Sequence, residues 1–68
     1  MEEITTEQIA QNYAACIDSV NLLDRGQLEG MSDEEWADTQ DRNVRHLEIM
    51  AAKDYWTTED ISVITAVI

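Results

Sequence analysis

Apolar side chains recur at steps of three and four residues along the first third of the chain, which is the spacing of one face of an α-helix. Thr5 precedes this stripe and Gln8 follows three residues later, a pairing typical of a capping box at a helix start. Arg25 and Gly26 suit a helix end, because a cation complements the helix dipole and glycine accepts a positive φ. The pattern predicts a first helix over about residues 6–24, whose apolar stripe is Ile9, Tyr13, Cys16, Ile17, Val20 and Leu23.

A second apolar stripe follows the clearest helix start in the sequence, MSDEEW. Ser32 suits the N-cap, and Glu35 stands three residues later to complete a second capping box. We expect this helix to run from residue 33 to about residue 54. The connection before it is short and contains Gly30, so the two helices should lie antiparallel as a hairpin. The second stripe consists of Trp36, Val44, Leu47, Met50 and Ala51.

The last segment, WTTEDISVITAVI, is compatible with two structures. Thr57 with Asp60 three residues later is a third capping pair and predicts a short helix over about residues 58–67. The run ISVITAVI is rich in β-branched residues and would also suit a strand. A strand would have no partner in a helical hairpin except a symmetry mate, so we favour the helix. The prediction is therefore one all-α domain over residues 1–68, an antiparallel hairpin with a short third helix, which oligomerises as a helical bundle.

The size of the chain limits how it can be stabilised. A protein of 68 residues buries only about 60% of the surface that its unfolded chain exposes. Cys16 is the only cysteine, so a disulfide within the chain is excluded, and one cysteine with one histidine is a poor zinc-ligand set. The remaining routes to stability are very good helix packing and self-association, and we expect the second, a homo-oligomer with a dimer favoured.

The charge of the chain narrows the classes of partner. Fifteen acidic and four basic residues give a formal net charge of −11, which opposes binding to nucleic acid and to anionic membranes and favours basic partners. No apolar run approaches the roughly 20 residues of a membrane span. The opening MEEITTEQ lacks the features of a signal peptide, and a single free cysteine suits a reducing compartment. The expected location is the cytoplasm.

One stretch, DRNVRHLEIMAAKDYW, contains most of the basic side chains and the only histidine. A helical wheel places these cations opposite the core stripe, around an apolar residue, Ile49. An apolar anchor with a charged rim is typical of an interface. Asp38 and Asp41, each four residues before an arginine, would instead give a neutralised, solvated face. The apolar third segment, or a second subunit, would cover Ile49 in the first interpretation. The candidate interface residues are Arg42, Arg45, His46, Ile49 and Lys53, with Ile61, Ile64 and Ile68 from the tail.

The sequence contains no recognisable catalytic or cofactor motif. His46 has Arg42 and Met50 at the i−4 and i+4 positions, so no second metal ligand shares its face. Cys16 lies on the core stripe, which favours a packed, inert thiol. The acidic run SDEEWADTQD lacks the glycine that a calcium loop needs at its sixth position. We therefore predict that the protein is not an enzyme and that it binds no cofactor or metal.

The segment GMSDEEWADTQDRNVRHLEIMAAKDYWTTEDI, residues 30–61, resembles small proteins encoded by tailed phages of marine cyanobacteria. NYAACIDSVNLL, residues 12–23, extends the resemblance more loosely. This family has no established activity, and no functional residue is implied. The resemblance implies a phage genome, expression in a bacterial host cytoplasm and an accessory role.

Two functions are compatible with these features. The first is an acidic helical interaction module that acts as a homo-oligomer, with a phage or host protein as a further partner. The second is an acidic inhibitor or nucleic-acid mimic that blocks a basic groove of a host protein. A mimic needs regular rows of carboxylates, which Glu34, Asp38 and Asp41 would begin. Arg42 and Arg45 interrupt that row, so we favour the first function.

Overall fold

The computed structural model describes residues 3–68 and forms three helices in that range. They are α1 (Thr6–Arg25), α2 (Asp33–Ala51) and α3 (Thr58–Ile64). The predicted all-α hairpin with a short third helix is confirmed. The alternative of a strand over residues 61–68 is wrong, because α3 occupies the first half of that segment and a turn follows it.

The predicted N-caps determine where the helices begin. At α1, the Gln8 amide donates to Thr5 Oγ1 at 3.1 Å and the Thr5 amide donates to Gln8 Oε1 at 3.0 Å. Thr57 and Asp60 form the same reciprocal pair at α3. At α2, Ser32 Oγ accepts a hydrogen bond from the Glu35 amide at 3.1 Å. The return bond predicted from the Glu35 side chain is not among the hydrogen bonds of residues 3–68.

Two helices end earlier than predicted, because nearby side chains and turns bond to their last carbonyl groups. α2 stops at Ala51 instead of about residue 54, and the Met50 carbonyl accepts from Trp56 Nε1 at 2.7 Å. α3 stops at Ile64 instead of residue 67, and Thr65 Oγ1 donates to the carbonyl of Ile61 at 2.7 Å. At both ends the backbone bonds then join residues three apart, from the Lys53 amide to Met50 and from the Ala66 amide to Val63, which ends the α-helical pattern.

The core lies where the three helices meet. Cys16, Leu47 and Ile64, one from each helix, have no solvent exposure. Each lies on the apolar face of its helix, and packing these faces together removes the side chains from water. The side chains that pack around them are Val20, Leu23, Met50, Ala51, Trp56 and Val67. The structure therefore confirms Cys16, Val20 and Leu23 of the first predicted stripe and Leu47, Met50 and Ala51 of the second as core residues.

The third helix is too short to cover the hairpin along its whole length. At 1.5 Å per residue, α1 is about 30 Å long and α3 only about 10 Å. The chain measures 43 × 23 × 17 Å, and its radius of gyration is 13.4 Å, against about 11 Å for a compact domain of this size. The fold is thus an elongated hairpin with a partial third layer.

Candidate interaction surfaces

The outward side of α2 carries Arg42, Arg45 and Ile49, which we call the basic face. Ile49 is 61% exposed, the largest exposure among the large apolar side chains of residues 3–68. Lys53 was predicted to share this face, but the helix ends before it and its amide closes a turn onto the carbonyl of Met50 at 3.0 Å. The basic face is therefore one turn shorter than the sequence suggested.

Both arginines of the basic face form ion pairs within the helix. Arg42 Nε lies 3.1 Å from Asp38 Oδ2, and Arg42 Nη2 contacts the same oxygen. The hydrogen bond and charge of Asp38 raise the pKa of Arg42. Arg45 Nε lies 3.2 Å from Asp41 Oδ2. The predicted i, i+4 pairs are thus confirmed, and the arginines are neutralised locally while remaining exposed.

The helical wheel predicted that His46 lies opposite the core stripe, and this prediction is wrong. Its side chain is half-buried, and Nδ1 lies 3.0 Å from Oγ of Ser19 on α1. The position is at the edge of the outward arc, so the ring turns toward α1, where a buried hydroxyl satisfies one ring nitrogen. Sequence reasoning missed Ser19, which is only 6% exposed, because a single serine beside an apolar stripe carries no signal of its own.

The three predicted tail residues have different environments. Ile64 is fully buried in the core of its own chain, so its assignment to a subunit interface is wrong. Ile61 is half-buried, and Ile68 is 45% exposed. α3 packs against the core-facing sides of both long helices, and it leaves Ile49 uncovered. The alternative in which the chain covers Ile49 with its own tail is therefore excluded.

The remaining features concern possible chemistry. Burial raises the pKa of the Cys16 thiol, which reduces the fraction of reactive thiolate. Among residues 3–68, no three His, Cys, Asp or Glu side chains are grouped so as to hold a metal ion.

A surface depression of about 640 Å³ lies at the start of α1, and none of the predicted interface residues contributes to it. In the same range, none of the helices combines the length and apolar character of a membrane span.

No protein-family model, curated protein or solved structure matches this chain. The resemblance to cyanophage proteins therefore stays a prediction.

Proposed function

We propose that the protein is a small acidic interaction module that acts as a homo-oligomer, with a dimer as its simplest form. The observation that carries the proposal is the amount of surface left exposed. The chain exposes 5068 Å². A compact monomer of 7.8 kDa would expose about 4,400 Å². The excess of about 700 Å² reflects the elongated shape of the chain, in which a short third helix leaves apolar side chains of the hairpin only partly covered.

The distribution of burial supports the same proposal. Only three apolar side chains of residues 3–68 are fully buried, and most others are half-buried. The large apolar side chains that are exposed are Ile4, Leu28, Ile49 and Ile68. One scattered exposed isoleucine is ordinary in a monomer. A core this small gives little stability to a chain of 68 residues, and association would add apolar burial. The phage resemblance suggests a bacterial host cytoplasm and an accessory role for the oligomer.

The alternative, an acidic inhibitor or nucleic-acid mimic, is supported by the net charge of −11. It is weakened by the two ion pairs on α2. Asp38 and Asp41 each interact with an arginine, so the potential of the carboxylate row is partly cancelled where a mimic needs it most. We therefore prefer the oligomer.

Light scattering during size-exclusion chromatography tests the proposal. We expect a mass of twice 7.8 kDa at high micromolar concentration and dissociation on dilution. A mass of one chain at every concentration would reject the homo-oligomer.

The mimic makes a separate prediction. Under that alternative, the protein displaces duplex DNA from basic DNA-binding proteins, and the displacement weakens steeply as salt is added. Under our proposal, no such displacement occurs. A fluorescence-anisotropy competition assay with labelled duplex DNA distinguishes the two.

A further inference from the structure

We propose that α3 is a strap that opens from the hairpin by itself, while α1 and α2 stay together, and that its opening controls access to the Cys16 thiol. This inference is independent of the proposed homo-oligomer, because it concerns a motion within one chain. It follows from a difference in how the parts of the chain are held. Apolar contacts alone hold α3, whereas hydrogen bonds also join the parts of the hairpin.

The contacts of α3 with the long helices are apolar. Ile64 is fully buried in the core, and Val67 packs against the same cluster from the turn that follows α3. Among residues 3–68, the hydrogen bonds of α3 are formed within the helix and its caps, and none reaches α1 or α2. A helix of seven residues is not stable alone in water. The strap therefore depends on the burial of a few side chains, and it loses its helical structure when it detaches.

The linker before α3 is fastened to both long helices. Trp56 Nε1 donates to the Met50 carbonyl at 2.7 Å, and Asn12 Nδ2 donates to the Tyr55 hydroxyl at 3.2 Å. The centroids of the Trp56 and Tyr13 rings lie 6.1 Å apart. These anchors stay in place when α3 leaves the core, so the opening is confined to the segment after Trp56.

The hairpin has hydrogen bonds that do not involve α3. Ser19 Oγ lies 3.0 Å from His46 Nδ1 and joins the two long helices directly. At the α1–α2 connection, Gln27 Nε2 donates to the Met31 carbonyl at 2.8 Å and to Asp33 Oδ1 at 3.0 Å. Parts of a protein with fewer contacts open at a lower free energy than the whole chain unfolds. The strap should therefore open more often than the hairpin.

Cys16 is the group that this opening uncovers. Cys16 and Ile64 belong to one buried cluster, and neither has any solvent exposure while the strap is closed. When α3 detaches, the cluster loses Ile64 and Val67 as cover, and the Cys16 thiol meets solvent. Cys16 is the only cysteine, so the reaction of the protein with a thiol reagent reports this one position.

Thiol labelling in increasing urea tests the strap. The Cys16 thiolate attacks DTNB, an aromatic disulfide, which forms a mixed disulfide and releases a coloured thiolate. The labelling rate, divided by that of the urea-unfolded chain at the same pH, gives the fraction of open molecules. The slope of an opening free energy against urea scales with the surface exposed. We expect a slope at most about half that of global unfolding followed by circular dichroism. Equal slopes, or a slope of zero, would overturn the strap.

A matched pair of alanine substitutions locates the opening. Ile64→Ala removes the buried contact of α3 and should raise the labelling rate at least about tenfold. His46→Ala removes a bond that lies within the hairpin, so it should change the labelling rate less than about twofold while lowering the urea midpoint of global unfolding. A labelling rate that rises in His46→Ala by the same factor as the global unfolding constant would overturn the strap.

Hydrogen exchange gives a further test that needs no substitution. In native wild-type protein at the same dilute concentration, peptic fragments that cover α3 should exchange their amide protons at least about tenfold faster than fragments that cover the middle of α1, after correction for intrinsic rates. Equal protection of α3 and α1 would show that the two open together. That result would overturn the strap and leave the homo-oligomer untouched, whereas a monomeric mass in light scattering would reject the homo-oligomer alone.

Discussion

Ser19 Oγ on α1 lies 3.0 Å from His46 Nδ1 on α2, and this hydrogen bond joins the two long helices directly. Ser19 is 6% exposed, so its hydroxyl has little access to water. A buried polar group without a partner costs more free energy than its hydrogen bond contributes when formed. The pair therefore favours one alignment of α1 against α2, in a core that otherwise offers only apolar contacts.

We expect Ser19→Ala and His46→Ala to be coupled in a double-mutant cycle of urea unfolding. The coupling free energy should be about 0.5–1.5 kcal/mol, the usual net contribution of one hydrogen bond. Ser62→Ala, at an exposed serine of α3, is the control and should change the free energy of unfolding by less than about 0.5 kcal/mol. Additive effects of the two substitutions would show that the bond contributes nothing to stability.

The buried thiol of Cys16 makes the free energy of unfolding decrease at alkaline pH. Its pKa is raised in the folded chain by burial, so the unfolded chain loses the thiol proton first as the pH rises. The contribution of Cys16 to the free energy of unfolding is complete below the ordinary thiol pKa of roughly 8.5, and it falls as the pH rises toward the folded pKa.

Urea unfolding at neutral pH and at about pH 10, a pH above the ordinary thiol pKa, measures this effect. Wild-type protein should lose more stability between the two conditions than Cys16→Ala, which has no thiol to ionise. The other titrating groups are common to both proteins and cancel in the difference. Equal losses would show that the thiol does not couple to folding.

The sequence predicted the helices well where local chemistry determines them. Thr5, Ser32 and Thr57 cap their helices as expected, because a side-chain oxygen two or three residues before free amide groups needs no tertiary partner. The ends of α2 and α3 were placed three residues too far along the chain. Trp56 and Thr65 bond to carbonyl groups there, and no periodic pattern of apolar residues reports such bonds.

The candidate interface was predicted less well than the fold. A helical wheel separates core-facing from solvent-facing positions by angle alone. It therefore assigned His46 to the solvent-facing side, although the His46 ring contacts Ser19 of the neighbouring helix. The wheel also could not predict which of the tail isoleucines is the most buried, because ISVITAVI is apolar almost throughout. Only the packing of α3 decides that Ile64 is buried and Ile68 is exposed.

Trp56 should stabilise the end of α2 through its indole N–H. We expect Trp56→Phe to lower the free energy of unfolding by about 0.5–1.5 kcal/mol for the lost hydrogen bond to the Met50 carbonyl, in addition to a smaller packing loss. The ring contacts with Tyr13 and Tyr55 remain possible for phenylalanine. Trp36→Phe is the matched control, and both variants are measured at one dilute concentration so that their association states agree. Equal losses in the two variants would argue against a capping role for Trp56.

Ile64 and Ile68 lie four residues apart and differ completely in burial, 0% against 45% exposure. Truncating a buried isoleucine to alanine costs about 2–5 kcal/mol, because apolar contacts are lost and a cavity remains. We expect a loss in that range for Ile64→Ala, and below about 0.5 kcal/mol for Ile68→Ala at a concentration where the chain is monomeric. Thermal unfolding followed by circular dichroism measures both. A comparable loss at the two positions would mean that Ile68 is covered within its own chain, contrary to its exposure in the structure.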